Sequence, residues 1–380
     1  MSKKIPTIWP IDPHTKAKIE ILSYYLQAWF PILGRNSENP VLYIDGFSGP
    51  GRYKGSEDGS PVAALKTLNQ SIADNAGKLK TSGVFCEFIE ADPKRFEELK
   101  ATVEEMEVSP RITSNVQRTD FVTGITSLKT KYRNHFHGGN PIFVFADPFG
   151  GTDTPMEAFD GWMKTDRSEL LLNLDADGIA RIYAGKNNNW EEQLTATFGG
   201  RCWETELGDD SLNLGQKAAK ILHLYKRRLK EVLGVEYVFE FEMRGKFDKI
   251  NYYLVFATNH PRGMVKMKEA MSRVDQNGRY CFSDADEHQQ FLFGDDGLEI
   301  YAEKLRNEYL EKTVSFHDIE KYCLCETPAK SASSLLNILE RKNQIEVHPE
   351  IGVTRKRGSF KKESIKSIRF QRALEQPTLF

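Results

Sequence analysis

The residues best suited to chemistry sit at the ends of short apolar runs. Asp45-Gly46-Phe47-Ser48-Gly49-Pro50-Gly51 follows the run Val41 to Asp45, and its glycines let the backbone approach a ligand without a Cβ clash. Such a loop suits a nucleoside-bearing amino acid, with Asp45, Phe47, Gly49 and Gly51 as contacts. The spacing is not Gly-x-Gly-x-x-Gly, and the polar stretch RYKGSEDG delays the next helix. No helix N-terminus is therefore ready for a pyrophosphate, which disfavours NAD. Glu90 ends a second apolar run, where its carboxylate could accept bonds from both ribose hydroxyls. Asp120 follows a third run and could hold the adenine amino group, with Phe121 against the ring.

A fourth run ends in Ala146-Asp147-Pro148-Phe149-Gly150, which resembles the Asp-Pro-Pro-Tyr type motif of amino methyltransferases. An exocyclic amine conjugated to a base is a poor nucleophile. The Asp147 carboxylate and the Pro148 carbonyl would bond its two protons and turn the lone pair toward a sulfonium methyl. Phe149 would stack on a base taken out of its helix. The motif differs at its third position, where Phe149 follows one proline rather than two, and a plain Asp-Pro turn is the bland alternative. The chain has no Pro-Cys dipeptide, so a cysteine nucleophile attacking a pyrimidine is not expected.

Other candidates are substrate contacts. His14 and Lys18 lie four apart and share a helix face, from which they could reach a ligand carboxylate or a phosphate. Arg52 follows the glycine loop and is a phosphate candidate. Near the C-terminus Asn337 and Arg341 fall on the outer face of a helix whose Leu335, Leu336 and Leu339 point inward. Arg355-Lys356-Arg357 lies between Val353 and Phe360, at a wing tip suited to phosphates or a minor groove.

The elements that position these residues follow from periodicity. Apolar residues at helical spacing predict a helix over 14–33, with Thr15 as its cap, and Ser60 and Pro61 open another. Strands are expected at 41–45, 83–92, 116–119, 141–146 and 169–174, alternating with helices, which implies a parallel, doubly wound sheet. Residues 237–243 and 251–257 alternate like a late antiparallel pair, and 185–232 reads as a helical insertion covering one edge of the site. From about 310 the pattern becomes short helix, turn at ETPAKS, second helix and basic β-wing, the order of a winged helix-turn-helix. The expected division is 1–310 for an α/β, Rossmann-like methyltransferase domain and 311–380 for the winged helix.

Bulk properties narrow the class. A 380-residue chain, 39% hydrophobic and 28% charged, can bury a large core and is more readily two domains than one. A net charge of -2 excludes a uniformly basic coat, yet residues 313–380 carry twelve Lys and Arg against eight Asp and Glu. No signal peptide or apolar span is visible, so a cytoplasmic protein without membrane contact is expected. The five cysteines are odd in number and scattered, which points to free thiols and no metal site.

Taken in series, PHTKAKIEIL with WFPILG, YIDGFSGPGRY with GSPVAAL, FADPFG, YYLVFATNHPRGMVKMKEAM and the terminal winged helix resemble the bacterial three-Cys-motif partner protein family (TcmP). The resemblance covers nearly the whole chain. It implies S-adenosylmethionine as cofactor, with Asp45, Gly49, Gly51 and Glu90 on cofactor positions and Asp147 to Phe149 on the catalytic loop. It also implies a three-cysteine, radical S-adenosylmethionine-like protein as partner. The chain departs from the family at NLDADGIARI, where Asp175 and Asp177 add negative charge near the sheet end. Three readings stand. One is methylation of a nucleic-acid amino group, with DNA the expected substrate. Another is a cofactor-binding, non-methylating partner in DNA repair or phage defence, and the third is an enzyme acting on a modified nucleotide or a lesion.

Overall fold

The computed structural model describes residues 7–209, 211–245, 249–275, 281–283 and 296–372. They form two compact units, one running to Val274 and including Cys281–Ser283, the other holding the residues from Asp296 onward.

In the first unit β1 (Val41–Asp45), β2 (Val84–Ile89), β3 (Ile112–Gln117), β4 (Ile142–Ala146) and β5 (Ser168–Leu174) pair in parallel, while β6 (Tyr237–Arg244) and β7 (Ile250–Thr258) pair antiparallel. With β8 (Cys281–Ser283) the strand order is β3-β2-β1-β4-β5-β7-β6-β8. The order reverses at β1 and β4, so the loops after these two strands splay apart and leave a crevice at their carboxyl ends. Asp45 pairs in register with Phe88 and Phe145, which brings the ends of β1, β2 and β4 to one level.

The helices of this unit are α1 (Pro13–Gly34), α2 (Ser60–Asp74), α3 (Pro93–Glu104), α4 (Phe121–Lys131), α5 (Arg133–Phe136), α6 (Ala176–Gly185), α7 (Trp190–Phe198), α8 (Trp203–Leu207), α9 (Leu214–Leu233) and α10 (Pro261–Val274). The first helix begins at Pro13 after Asp12, earlier than Thr15, because proline needs no donor in a first turn. Gly59 rather than Ser60 caps α2. The third strand starts at Ile112, earlier than its apolar residues suggest, because it is an edge strand whose polar residues face outward.

The stretch 185–232 is integral to the core. Leu194, Phe198, Trp203, Ile221, Tyr225 and Leu229 join one apolar cluster with Ile44, Val144 and Leu172 of the central strands. Asp175 and Asp177 also find local partners. Asp175 caps α6 by accepting the Gly178 N–H (2.7 Å), and Asp177 pairs with Arg181 (2.9 Å) and Lys249 (3.0 Å).

The second unit runs α11 (Asp296–Glu308), β9 (Thr313–Val314), α12 (Phe316–Glu326), α13 (Ala332–Arg341), β10 (Ile345–Pro349) and β11 (Ile365–Phe370). Among the described residues three helices back a small sheet of order β10-β11-β9. Ser315 caps α12, and Leu335, Leu336 and Leu339 of α13 are buried with Ile319, Ile365 and Ile368. The helix α11 lies before the pattern change at 310, yet Ala302 and Leu305 sit in this unit's core. A winged helix needs that first helix to close its core, and the polar surface of α11 hid it in the sequence. Among the described residues no helix is long and apolar enough to cross a membrane.

Candidate functional site

Two cavities open at the carboxyl ends of the first unit's strands. The larger, about 640 Å³, is walled by Gly46, Phe47, Glu90, Arg95, Asp120 and Phe121, with Phe149 and residues of α7 completing the wall. The smaller, about 310 Å³, is walled by Trp9, His14, Lys18, Tyr53, Asp147 and Asn173. Phe47 and Phe149 belong to both walls.

The larger cavity is built by the ends of β1, β2 and β3. Glu90 is buried, and its Oε2 accepts one bond, from the Gly49 N–H (2.9 Å). Its Oε1 accepts the Asp92 N–H (2.7 Å) and the Arg95 guanidinium, through Nε (3.0 Å) and Nη2 (2.9 Å). A carboxylate offers about four acceptor sites, so Oε2 keeps room for one hydroxyl while Oε1 is filled. Glu90 is thus ready for one ribose hydroxyl rather than both. Gly49 has φ +63° and open space where a Cβ would stand, which leaves its backbone approachable, and it lines the smaller cavity rather than the larger.

Asp45 does not line either cavity. It is fully buried beneath the loop, where Oδ1 accepts the Phe47 N–H (3.3 Å) and its carbonyl accepts the Ser48 hydroxyl (3.0 Å). Burial pushes its pKa from 3.8 to about 7, tempered by Ser60 and the Phe47 amide. Asp45 therefore shapes the glycine loop from below. Gly51 also lies outside both walls, with φ +80° at the loop's exit.

Asp120 is exposed at the cavity rim and caps α4, accepting the Thr123 N–H (2.9 Å) and hydroxyl (2.7 Å). These bonds hold its carboxyl below the ordinary range. Phe121 is buried and stacks on Phe47 with centroids 5.1 Å apart, so Phe47 presents the more accessible ring.

The smaller cavity centres on Asp147. Its Oδ2 pairs with Lys18 Nζ (2.5 Å), and its Oδ1 accepts the Asn173 amide (2.7 Å). Lys18 is buried against the Tyr252 ring (5.2 Å), and His14 meets the same ring at its edge. Two of the carboxylate's acceptor sites remain open. Pro148 is buried, whereas Phe149 is 60% exposed and meets Trp9 edge-on (6.0 Å). Trp9 in turn meets Tyr53 (5.7 Å) and is tied down by the Lys54 N–H donating to its carbonyl (2.9 Å). Arg52 is exposed and lines neither cavity.

Spacing did not single out Arg95, Trp9, Tyr53, Asn173 or Tyr252. A signal existed for two of them: Asn173 is a polar residue near the carboxyl end of the strand ELLLNL, and Arg95 stands at the third position of a helix capped by Asp92, within reach of Glu90. The others come from loops or remote strands. Among the described residues no cluster of three or more His, Cys, Asp or Glu could hold a metal.

In the second unit Arg355 is turned inward. Its guanidinium pairs with Glu340, lies over the Phe360 ring (4.7 Å) and donates to the Ser359 carbonyl (3.0 Å). Arg357 donates to the Glu340 carbonyl (2.7 Å) and to Asn343 (2.9 Å). The expected wing-tip role does not fit these contacts: both fasten the wing to the end of α13, Arg355 through the Glu340 carboxylate and Arg357 through the Glu340 carbonyl and Asn343. Lys356 and Arg341 are exposed, and Asn337 is half-buried with its amide donating to the Ser333 carbonyl (2.9 Å).

Residues 282–352 match the family model described as a GMT-like wHTH domain. No curated protein matches the chain. Solved structures similar to it include a protein from Legionella pneumophila (13% identity, 65% of this chain and 85% of that one, TM-score 0.38). An O-methyltransferase from Bacillus cereus in complex with SAH is similar at 13% identity over 65% of this chain and 82% of that one, TM-score 0.34. A trans-methyltransferase, CalH, in complex with SAH is similar at 15% identity over 64% of this chain and 58% of that one, TM-score 0.32. Strand order and helix placement make the first unit a Rossmann-like, doubly wound α/β sheet, and the family match places a winged helix-turn-helix towards the C-terminus.

Proposed function

We propose that the chain is an S-adenosylmethionine-dependent methyltransferase acting on an exocyclic amino group of nucleic acid, DNA in the first instance. The observation that carries this reading is the pair of cavities meeting at Phe47 and Phe149, one beside a strand-end carboxylate with a spare acceptor, the other beside Asp147. In this reading Phe47, Gly49, Glu90, Asp120 and Phe121 hold the cofactor, with Asp45 and Gly51 shaping the loop. When bound, the cofactor supplies an electrophilic methyl group. Asp147 accepts one amine proton through an open lone pair, the Pro148 carbonyl accepts the other, and Phe149 stacks on the base. Lys18 and Asn173 keep Asp147 pointed into the cavity. The winged helix, which takes in α11 as well as the expected span from residue 311, supplies nucleic-acid affinity through Arg341, Lys356 and the outer face of α13. A bacterial cytoplasm is the expected setting.

A second reading is favoured by one specific observation, the Lys18 and Asn173 contacts that already engage both oxygens of Asp147. A carboxylate held this way serves a binding protein as well as a catalyst. In that reading the chain, akin to the three-Cys-motif partner family, binds the cofactor without methylating and assists a radical S-adenosylmethionine-like protein in DNA repair or phage defence. Incubation with tritiated S-adenosylmethionine and mixed DNA and RNA separates the two. Label incorporation lost in Asp147→Ala supports methylation; cofactor binding with no incorporation supports the second reading.

A further inference from the structure

Arg95 touches the two cavities' most telling residues at once. Its guanidinium donates twice to Glu90 Oε1 and lies 5.3 Å from the centroid of the Phe149 ring, over its face. The backbone behind it is fixed, because the Arg95 N–H donates to Asp92 Oδ1 (2.9 Å) and Pro93 opens the helix. Only the side chain is free to move. We propose that Arg95 is a latch between cofactor and acceptor sites: a ribose diol that seats on Glu90 displaces the guanidinium, and Phe149 is released from it. The proposal rests on the cofactor reading above and deepens it by giving binding an order.

The argument is one of acceptor capacity. Oε1 already takes three donors and Oε2 takes one, so a diol presenting two hydroxyls needs a site on Oε1. The Asp92 N–H is a backbone group, two residues from Glu90, on the residue whose side chain caps α3, so it has no rotamer by which to swing away. The Arg95 fork can leave by side-chain rotation. Once it does, the charge that held Phe149 by a cation–π contact is no longer anchored, and the shared wall of the two cavities becomes adjustable. A base would then enter after the cofactor, not before.

The test places 4-fluorophenylalanine at position 149 in the full chain and records its fluorine resonance with and without S-adenosylhomocysteine, for wild type, Arg95→Met and Arg95→Gln. The free wild-type resonance should differ from both variants. Ligand should move the wild type toward the variants' position and leave theirs nearly unmoved. Coincident resonances in the free proteins overturn the latch, and so does an equal ligand shift in wild type and variants. Calorimetry on the same samples isolates the other failure: a wild type that binds no S-adenosylhomocysteine refutes the cofactor reading, while the free-protein comparison still shows whether Arg95 holds Phe149.

Discussion

Lys18 Nζ lies 2.5 Å from Asp147 Oδ2, so the first helix and the loop after the fourth strand are joined at the centre of the smaller cavity. The side chains are 6% and 22% exposed, which makes the pair mostly buried. Removing the ammonium strands a carboxylate. Lys18→Met should cost about 2 kcal/mol in urea unfolding, below the roughly 3–5 kcal/mol of a fully buried pair because Asp147 keeps some water. An unchanged midpoint would mean that the pair contributes nothing.

The buried acids give stability a pH dependence of known sign. The folded state holds the Asp45 proton up to about pH 7, while an unfolded chain releases it near 3.8. Glu169 behaves likewise, pushed from 4.5 to about 7 by burial. Each contribution is fully present below the unfolded value and is lost as pH rises through the folded one. Melting temperature should therefore fall between pH 4 and 7 through these groups, and Asp45→Asn should remove about half of that slope, one of two similar groups. A full slope in the variant would show that Asp45 does not titrate in this window.

The wing separates binding from folding. Arg355 is committed to Glu340 and Phe360, so Arg355→Ala should lower the stability of the winged-helix unit. Lys356 is exposed, so Lys356→Ala should leave melting unchanged and reduce the salt slope of DNA binding by up to about 0.9. Salt titrations on one oligonucleotide, paired with thermal melts, check both. A lower salt slope in Arg355→Ala without lost stability would put that arginine on phosphate.

Gly46 stands under the aromatic stack. A Cβ built there comes within 2.6 Å of the Phe121 ring, which in turn stacks on Phe47. Gly46→Ala should displace the stack and weaken nucleoside binding at least severalfold, at an overpacking cost of roughly 1–3 kcal/mol in stability. Equal affinity would remove the stack from the binding account.

The strand ends were legible because buried parallel strands read as unbroken apolar runs that stop at a charged or glycine-rich turn, as at Asp45, Glu90 and Asp147. The later helices of the winged helix were legible from a different signal, the leucines of α13 at helical spacing, while α11 was not. What side chains do at those ends was not. Asp45 turned downward to take the amide of its own loop at Phe47, and Arg355 turned inward to Glu340 on another element, and periodicity encodes neither choice. Trp9, Tyr53 and Tyr252 enter the site from loops and a late strand, where only the folded sheet sets their distance to Phe149 and Lys18.

The central claim is that the larger cavity takes a nucleoside through Glu90, and calorimetry with S-adenosylhomocysteine tests it most directly. Wild type should bind, and Glu90→Ala should bind about tenfold more weakly, equivalent to roughly 1.4 kcal/mol. A folded Glu90→Ala with wild-type affinity, or a wild type that gives no binding heat across temperatures, would contradict the account.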